Sequence, residues 1–119
     1  MHKKRSYKMF AEDIVEAINK IGRYIKGLTS ETFAENEMVV DAVIRNLEII
    51  GEASSNIPED VREKCPDIPW RRMIGLRNIT IHEYFGVDLG IIWEIINRNL
   101  PETKPKIEAI LRSFNEERD

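Results

Sequence analysis

Cysteine occurs once in this chain of 119 residues, at Cys65, and histidine only twice. A single thiol excludes an internal disulfide and any cysteine-rich zinc site, and it suits a reducing compartment. Cys65 stands before Pro66, with Glu63 and Asp67 nearby and only Arg62 and Lys64 as local cations. Nothing there lowers a thiol pKa, so Cys65 reads as a loop or helix-end residue rather than a nucleophile. Long apolar runs are also lacking. The uninterrupted ones last a few residues, far short of a bilayer crossing. The basic start, Met1-His2-Lys3-Lys4-Arg5, has no apolar stretch behind it, because Phe10-Ala11 runs straight into Glu12-Asp13. A secretory signal is therefore not expected, and a cytoplasmic protein without membrane contact is. Period-two alternation, internal repeats, low-complexity tracts and glycine-rich phosphate loops are missing as well.

What is present is ordinary material for one folded domain spanning 1–119: 42% hydrophobic and 33% charged residues. The net charge of −3 excludes a protein that binds nucleic acid through its overall charge. Its distribution is less uniform. Between Ile68 and His82 stand Arg71, Arg72 and Arg77 with no acid among them, and Lys3, Lys4 and Arg5 form a second basic cluster. Such patches can engage phosphates within an acidic protein, and they also occur on ordinary solvated surfaces.

Apolar residues recur at helical spacing along the whole chain. Phe10, Ile14, Ile18, Ile21, Ile25 and Leu28 define one face of a first helix, punctuated by Gly27 and Thr29-Ser30. Phe33 belongs to a short turn of helix. Asn36 caps a second long helix whose buried face is Val40, Val43, Ile44, Leu47, Ile50, Gly51 and Ser54. The small residues Gly51, Ala53, Ser54 and Ser55 allow another helix to approach closely. Asn56-Ile57-Pro58 ends it, and a proline-rich connection with a helical turn or two follows. Pro69 opens a third, shorter helix with Trp70, Met73, Ile74, Arg77 and Ile81 on one side, expected to end near Tyr84-Phe85-Gly86. Asp88 caps a fourth, with the stripe Ile91, Ile92, Ile95, Ile96 and Leu100. Pro101 is expected to end it and start a fifth, with Ile107, Ile110, Leu111 and Phe114 buried. The expected fold is all-α: an up-and-down helical bundle of four long helices plus a shorter one carrying the chemistry.

That chemistry lies between Arg77 and Tyr84, where Arg77, Asn78, His82 and Tyr84 fall close together. Phosphodiester cleavage needs a base for the attacking hydroxyl, an acid for the leaving oxygen and a cation for the developing charge. RNA supplies its own 2′-hydroxyl, so neither a metal nor another cofactor is required. A histidine such as His82 can act as base or as acid, and Arg77 can grip two phosphate oxygens. Asn78 can bond the phosphate or orient the histidine. Residues five apart on a straight helix point about 140° away from each other. Either the helix breaks near His82, or a second chain completes the site about a two-fold axis. On residue type alone the set is equally compatible with a capping histidine, a surface-paired arginine and a core tyrosine.

The pattern Arg77-x4-His82-x-Tyr84 resembles the motif of the HepT-like toxins, a branch of the HEPN superfamily of small α-helical proteins. The flanks extend the likeness over nearly the whole chain. Asp41 to Ala53, ending Ile50-Gly51-Glu52-Ala53, is similar to that family's second long helix. Ile68-Pro69-Trp70 leading through Gly75-Leu76 into Arg77-Asn78 is similar too, as is His82-Glu83-Tyr84-Phe85-Gly86-Val87-Asp88 leading to Ile92-Trp93. The resemblance implies a metal-independent endoribonuclease that works as a homodimer, the motifs of both chains lining one cleft on an RNA substrate. It implies Arg77 and His82 as catalytic and Asn78 as supporting. It further implies a toxin–antitoxin pair in which a nucleotidyltransferase antitoxin attaches AMP to Tyr84. The contrasting reading is a non-catalytic module of the same fold that binds nucleotide or docks a nucleotidyltransferase.

Overall fold

The computed structural model describes residues 2–79 and 88–118, with side chains from Tyr7 to Phe114 within those bounds. All regular structure among them is helical. The elements are α1 (His2–Tyr24), α2 (Ser30–Glu35), α3 (Glu37–Asn56), α4 (Glu59–Glu63), α5 (Trp70–Gly75), a 3₁₀ turn (Leu76–Asn78), α6 (Leu89–Glu94), a π-helical turn (Ile95–Asn99) and α7 (Leu100–Arg118). No helix among the described residues is long and apolar enough to cross a membrane.

The local signals act as their chemistry requires. Gly27 takes φ +82°, a left-handed conformation that closes the turn after α1 without a Cβ to clash. Thr29 and Thr32 then form a reciprocal capping box: the Thr29 hydroxyl accepts from the Thr32 N–H at 3.1 Å, and Thr32 Oγ1 accepts from the Thr29 N–H at 2.8 Å. Asn36 Oδ1 accepts from the Val39 N–H at 3.1 Å and starts α3. Asp88 does the same for α6 through the Gly90 N–H at 2.8 Å.

A continuous core joins these elements. Ile14, Ile18, Ile21 and Ile25 of α1 face Val40, Val43, Ile44, Leu47 and Ile50 of α3, and Ile92, Ile96, Ile107, Ile110 and Phe114 fill in from α6 and α7. Every residue expected on the inner face of α3, Gly51 and Ser54 included, is buried. The Tyr7 and Phe114 rings meet edge to face at 5.2 Å, which sets the start of α1 beside the end of α7 in antiparallel fashion. Phe33 and Trp93 pack at 5.4 Å and tie α2 to α6.

One boundary and one face assignment differ from expectation here. Pro101 does not end the fourth helix: helical structure continues from Leu89 to Arg118 through the π-helical turn. A proline N–H is missing, and the ring crowds the carbonyl four residues back. The wider turn accommodates both, and Leu100 donates instead to the Ile95 carbonyl, five residues back. Pro105 lies inside α7, and the Pro101 carbonyl it deprives of a donor is at an exposed residue. The resulting rod is about 45 Å long at about 1.5 Å per residue, close to the 48 Å longest dimension of the molecule. Ile91 also leaves the expected stripe: it is 61% exposed, because Ile92, Ile96 and Leu100 carry the buried line.

Candidate functional site

The shorter helix is pinned by its apolar residues. Trp70 is buried and donates from Nε1 to the Cys65 carbonyl at 3.0 Å, while Met73 and Leu76 are sunk into the core. The α-helix does not run on to Tyr84-Phe85-Gly86. It ends at Gly75, tightens into the 3₁₀ turn, and closes with the Ile79 N–H on the Leu76 carbonyl at 3.1 Å. Ile79 leaves helical space at φ −81°, ψ 81°. Arg77 therefore stands on a tightened turn beyond the end of the regular α-helix.

The turn lies directly against α3. A Cβ placed on Gly51 would stand 2.8 Å from Arg77 Cβ and 2.9 Å from its Cα, and closer still to its backbone nitrogen. Only glycine permits this approach. The expectation that the small residues of α3 admit a neighbour is met, and the neighbour is Arg77 itself.

From that anchor the Arg77 side chain reaches outward, 46% exposed, with Nη1 3.6 Å from Glu52 Oε2. This is an ion pair at the outer edge of contact between half-exposed groups, worth about 0–1 kcal/mol. Among the described residues the other guanidinium donors have no partner. Asn78 is exposed beside it. Arg77 and Asn78 share a shallow concavity of about 460 Å³ with Arg45, Glu48, Ile49 and Glu52 of α3. Arg45 and Glu52 stand two helical turns apart on the outer side of α3. Their spacing was visible in the sequence, but nothing there showed that Arg77 would land beside them.

Of the expected site residues, Arg77 and Asn78 are brought together. His82, Tyr84 and Ile81 lie outside the described residues. Arg71 lines a different depression, with Glu59, Arg62, Glu63, Trp70 and Ile74. Arg71 and Arg77 thus lie in different depressions rather than on one basic surface. A larger groove of about 850 Å³ lies elsewhere, between α4, the connection after it and α7. It includes Cys65 and is bounded by Asp60, Lys64, Asp67 and Lys106, but none of the expected site residues. Burial, and secondarily Asp67, push the Cys65 thiol above its ordinary range, in line with an unreactive cysteine.

Fold and site together define a small all-α protein that presents an arginine and an asparagine on a clamped turn just ahead of a histidine. The family model described as "Ribonuclease HepT-like" matches residues 14–110. The chain belongs to the HepT-like ribonuclease family, and its enzyme class is that of a ribonuclease. It is 46% identical over 107 residues to the Methanocaldococcus jannaschii protein named "Putative RNase MJ1380", covering 90% of this chain and 98% of that one. It is 45% identical over 107 residues to the "Probable ribonuclease HepT" of Thermococcus cleftensis, covering 90% and 97%. A bacterial relative, "Putative RNase TTE0752" of Caldanaerobacter subterraneus, is 39% identical over 103 residues, covering 87% and 92%. No solved structure matches the chain.

Proposed function

We propose that this protein is a metal-independent endoribonuclease of the toxin type. It cleaves RNA through the 2′-hydroxyl and works as a homodimer. The observation that carries the reading is the exposed Arg77–Asn78 turn, clamped on Gly51, in a chain of the HepT-like ribonuclease family.

The proposed chemistry balances without a further reagent. The 2′-oxygen attacks phosphorus and gives its proton to a base, the P–O5′ bond breaks, and the leaving 5′-oxygen takes a proton from an acid. The products are a 2′,3′-cyclic phosphate and a 5′-hydroxyl. Arg77 offsets the charge that grows on the non-bridging oxygens, and Asn78 hydrogen-bonds the same phosphate or aligns the imidazole. One neutral or protonated histidine serves as base or as acid, not as both at once. A two-fold related chain supplies the second His82, and this is the physical argument for a homodimeric cleft.

Control falls to Tyr84, two residues from His82. A nucleotidyltransferase antitoxin would join the Tyr84 oxygen to the α-phosphorus of a nucleoside triphosphate and release pyrophosphate. The AMP thus attached adds bulk and negative charge where the RNA phosphate must sit.

The test is cleavage of mixed RNA in excess chelator by wild type and by His82→Ala, using protein whose intact mass shows no adduct. Cleavage leaving cyclic phosphate ends, reduced by about 10²- to 10⁴-fold in the folded variant, is expected. Equal activity in His82→Ala would refute the catalytic assignment. An unmodified, folded and inactive wild type would favour the non-catalytic binding module.

A further inference from the structure

Catalysis at one phosphate leaves Arg45 unexplained. It stands on the outer side of α3, exposed, between residues of a rod whose inner face is fully packed: Val43 and Leu47 are 0% exposed and Ile44 5%. Arg45 lines the same concavity as Arg77 and Asn78. Among the described residues it makes no ion pair, whereas Glu52, two turns along, is taken up by Arg77. Seven residues of helix separate Arg45 from Glu52, a rise of about 10 Å. Arg45 and the Glu52-paired Arg77 thus line one concavity from places spaced along α3, and the half-buried Ile49 lines it too.

We propose that Arg45 is a substrate-binding residue that holds a phosphate of the RNA next to the one being cleaved. This rests on the ribonuclease reading above and adds a subsite to it. Two cations from separate elements lining one depression suit a chain of phosphates at regular spacing. The apolar Ile49 in the same lining suits the sugar or base that links those phosphates, a surface that tolerates any base. Glu48 and Glu52 bring the local charge close to neutral, so the depression attracts phosphate where a guanidinium points rather than by its overall field. The arrangement favours single-stranded RNA, whose backbone can bend into a shallow site.

The inference separates from general catalysis through substrate length. A dinucleoside monophosphate has only the phosphate to be cleaved; an RNA of eight or so nucleotides has neighbours on both sides. Steady-state cleavage of both substrates is measured for wild type, Arg45→Gln and Arg45→Lys, with intact mass and thermal melting as checks on each protein. In Arg45→Gln the preference for the longer RNA, taken as the ratio of the two kcat/KM values, should fall about 5-fold or more, through KM. The dependence of log KM on log salt should lose about one unit of slope. Arg45→Lys should restore most of both. An unaltered length preference in Arg45→Gln overturns the subsite and leaves the ribonuclease reading standing. An equal loss on both substrates also overturns it, by making Arg45 part of general site integrity. Failure of wild type to cut either RNA brings down both readings together.

Discussion

Gly51 and Arg77 meet backbone to backbone, with no room between them for a methyl group. The contact couples a helix of the core, α3, to the residue on which phosphate binding is proposed to depend. Gly51→Ala should therefore lower stability and activity together. The added methyl forces apart α3 and the 3₁₀ turn, at about 1–3 kcal/mol for an overpacked site, against a gain of about 1 kcal/mol in helix propensity. Gly75→Ala is the control, because among the described residues nothing stands within 4 Å of a Cβ there. Its melting temperature should hold or rise. A Gly51→Ala protein as stable and active as wild type would show that the turn can shift freely.

The Glu52–Arg77 ion pair is long, and both partners are about half exposed or more. Glu52→Gln should leave the melting temperature nearly unchanged, since such pairs contribute about 0–1 kcal/mol. Its effect should appear in binding: one anion less beside the phosphate path lowers KM for RNA by a few-fold. A fall in kcat with KM unaltered would make Glu52 a positioning residue for Arg77 instead.

The proposed shared cleft predicts complementation. Arg77→Ala and His82→Ala proteins, each inactive alone, should regain part of the activity once mixed and allowed to exchange subunits. The regained fraction should track the amount of heterodimer. Sites contained within single chains would give no recovery at any mixing ratio.

Asp13 gives a pH-dependent prediction on the opposite side of the argument, stability alone. Burial first, then Glu16 and Glu12, push its carboxyl above the ordinary carboxylate range. A carboxyl whose folded pKa is raised holds its proton more tightly in the folded state, so folding loses stability as pH rises through that range. Asp13→Asn should melt higher than wild type at pH 7, and the difference should vanish below about pH 3, where both states are protonated. A difference independent of pH would point to helix propensity rather than charge. Solvent screening keeps the effect small.

The inner face of α3, the caps at Thr29, Asn36 and Asp88, and the stop at Gly27 were legible because each depends on residues within one or two turns of one another. Side-chain periodicity and unsatisfied backbone groups act over that range, so spacing alone reports them. The early end of the Pro69 helix was not legible. Arg77 to Ile81 carries no proline or glycine, and what bends the chain there is the seating of Leu76 in the core and of Arg77 on Gly51. Nor could Pro101 be judged alone. A proline normally breaks a helix, yet here α6 and α7 share one buried line through Ile92, Ile96 and Leu100, and a π-helical turn keeps that line intact.

The candidate site divides the same way. Arg77, Asn78, His82 and Tyr84 could be singled out from type and order as groups able to act on a phosphate, and the roles expected of them came from the family resemblance. The sequence by itself determined an all-α chain, the identity of its chemical groups and its family likeness. Only the tertiary structure decided that Gly51 bears on Arg77, that Arg45 and Glu52 share its concavity, and that Arg71 does not. Residues 25 or more positions apart meet only through packing, and local spacing has no term for that.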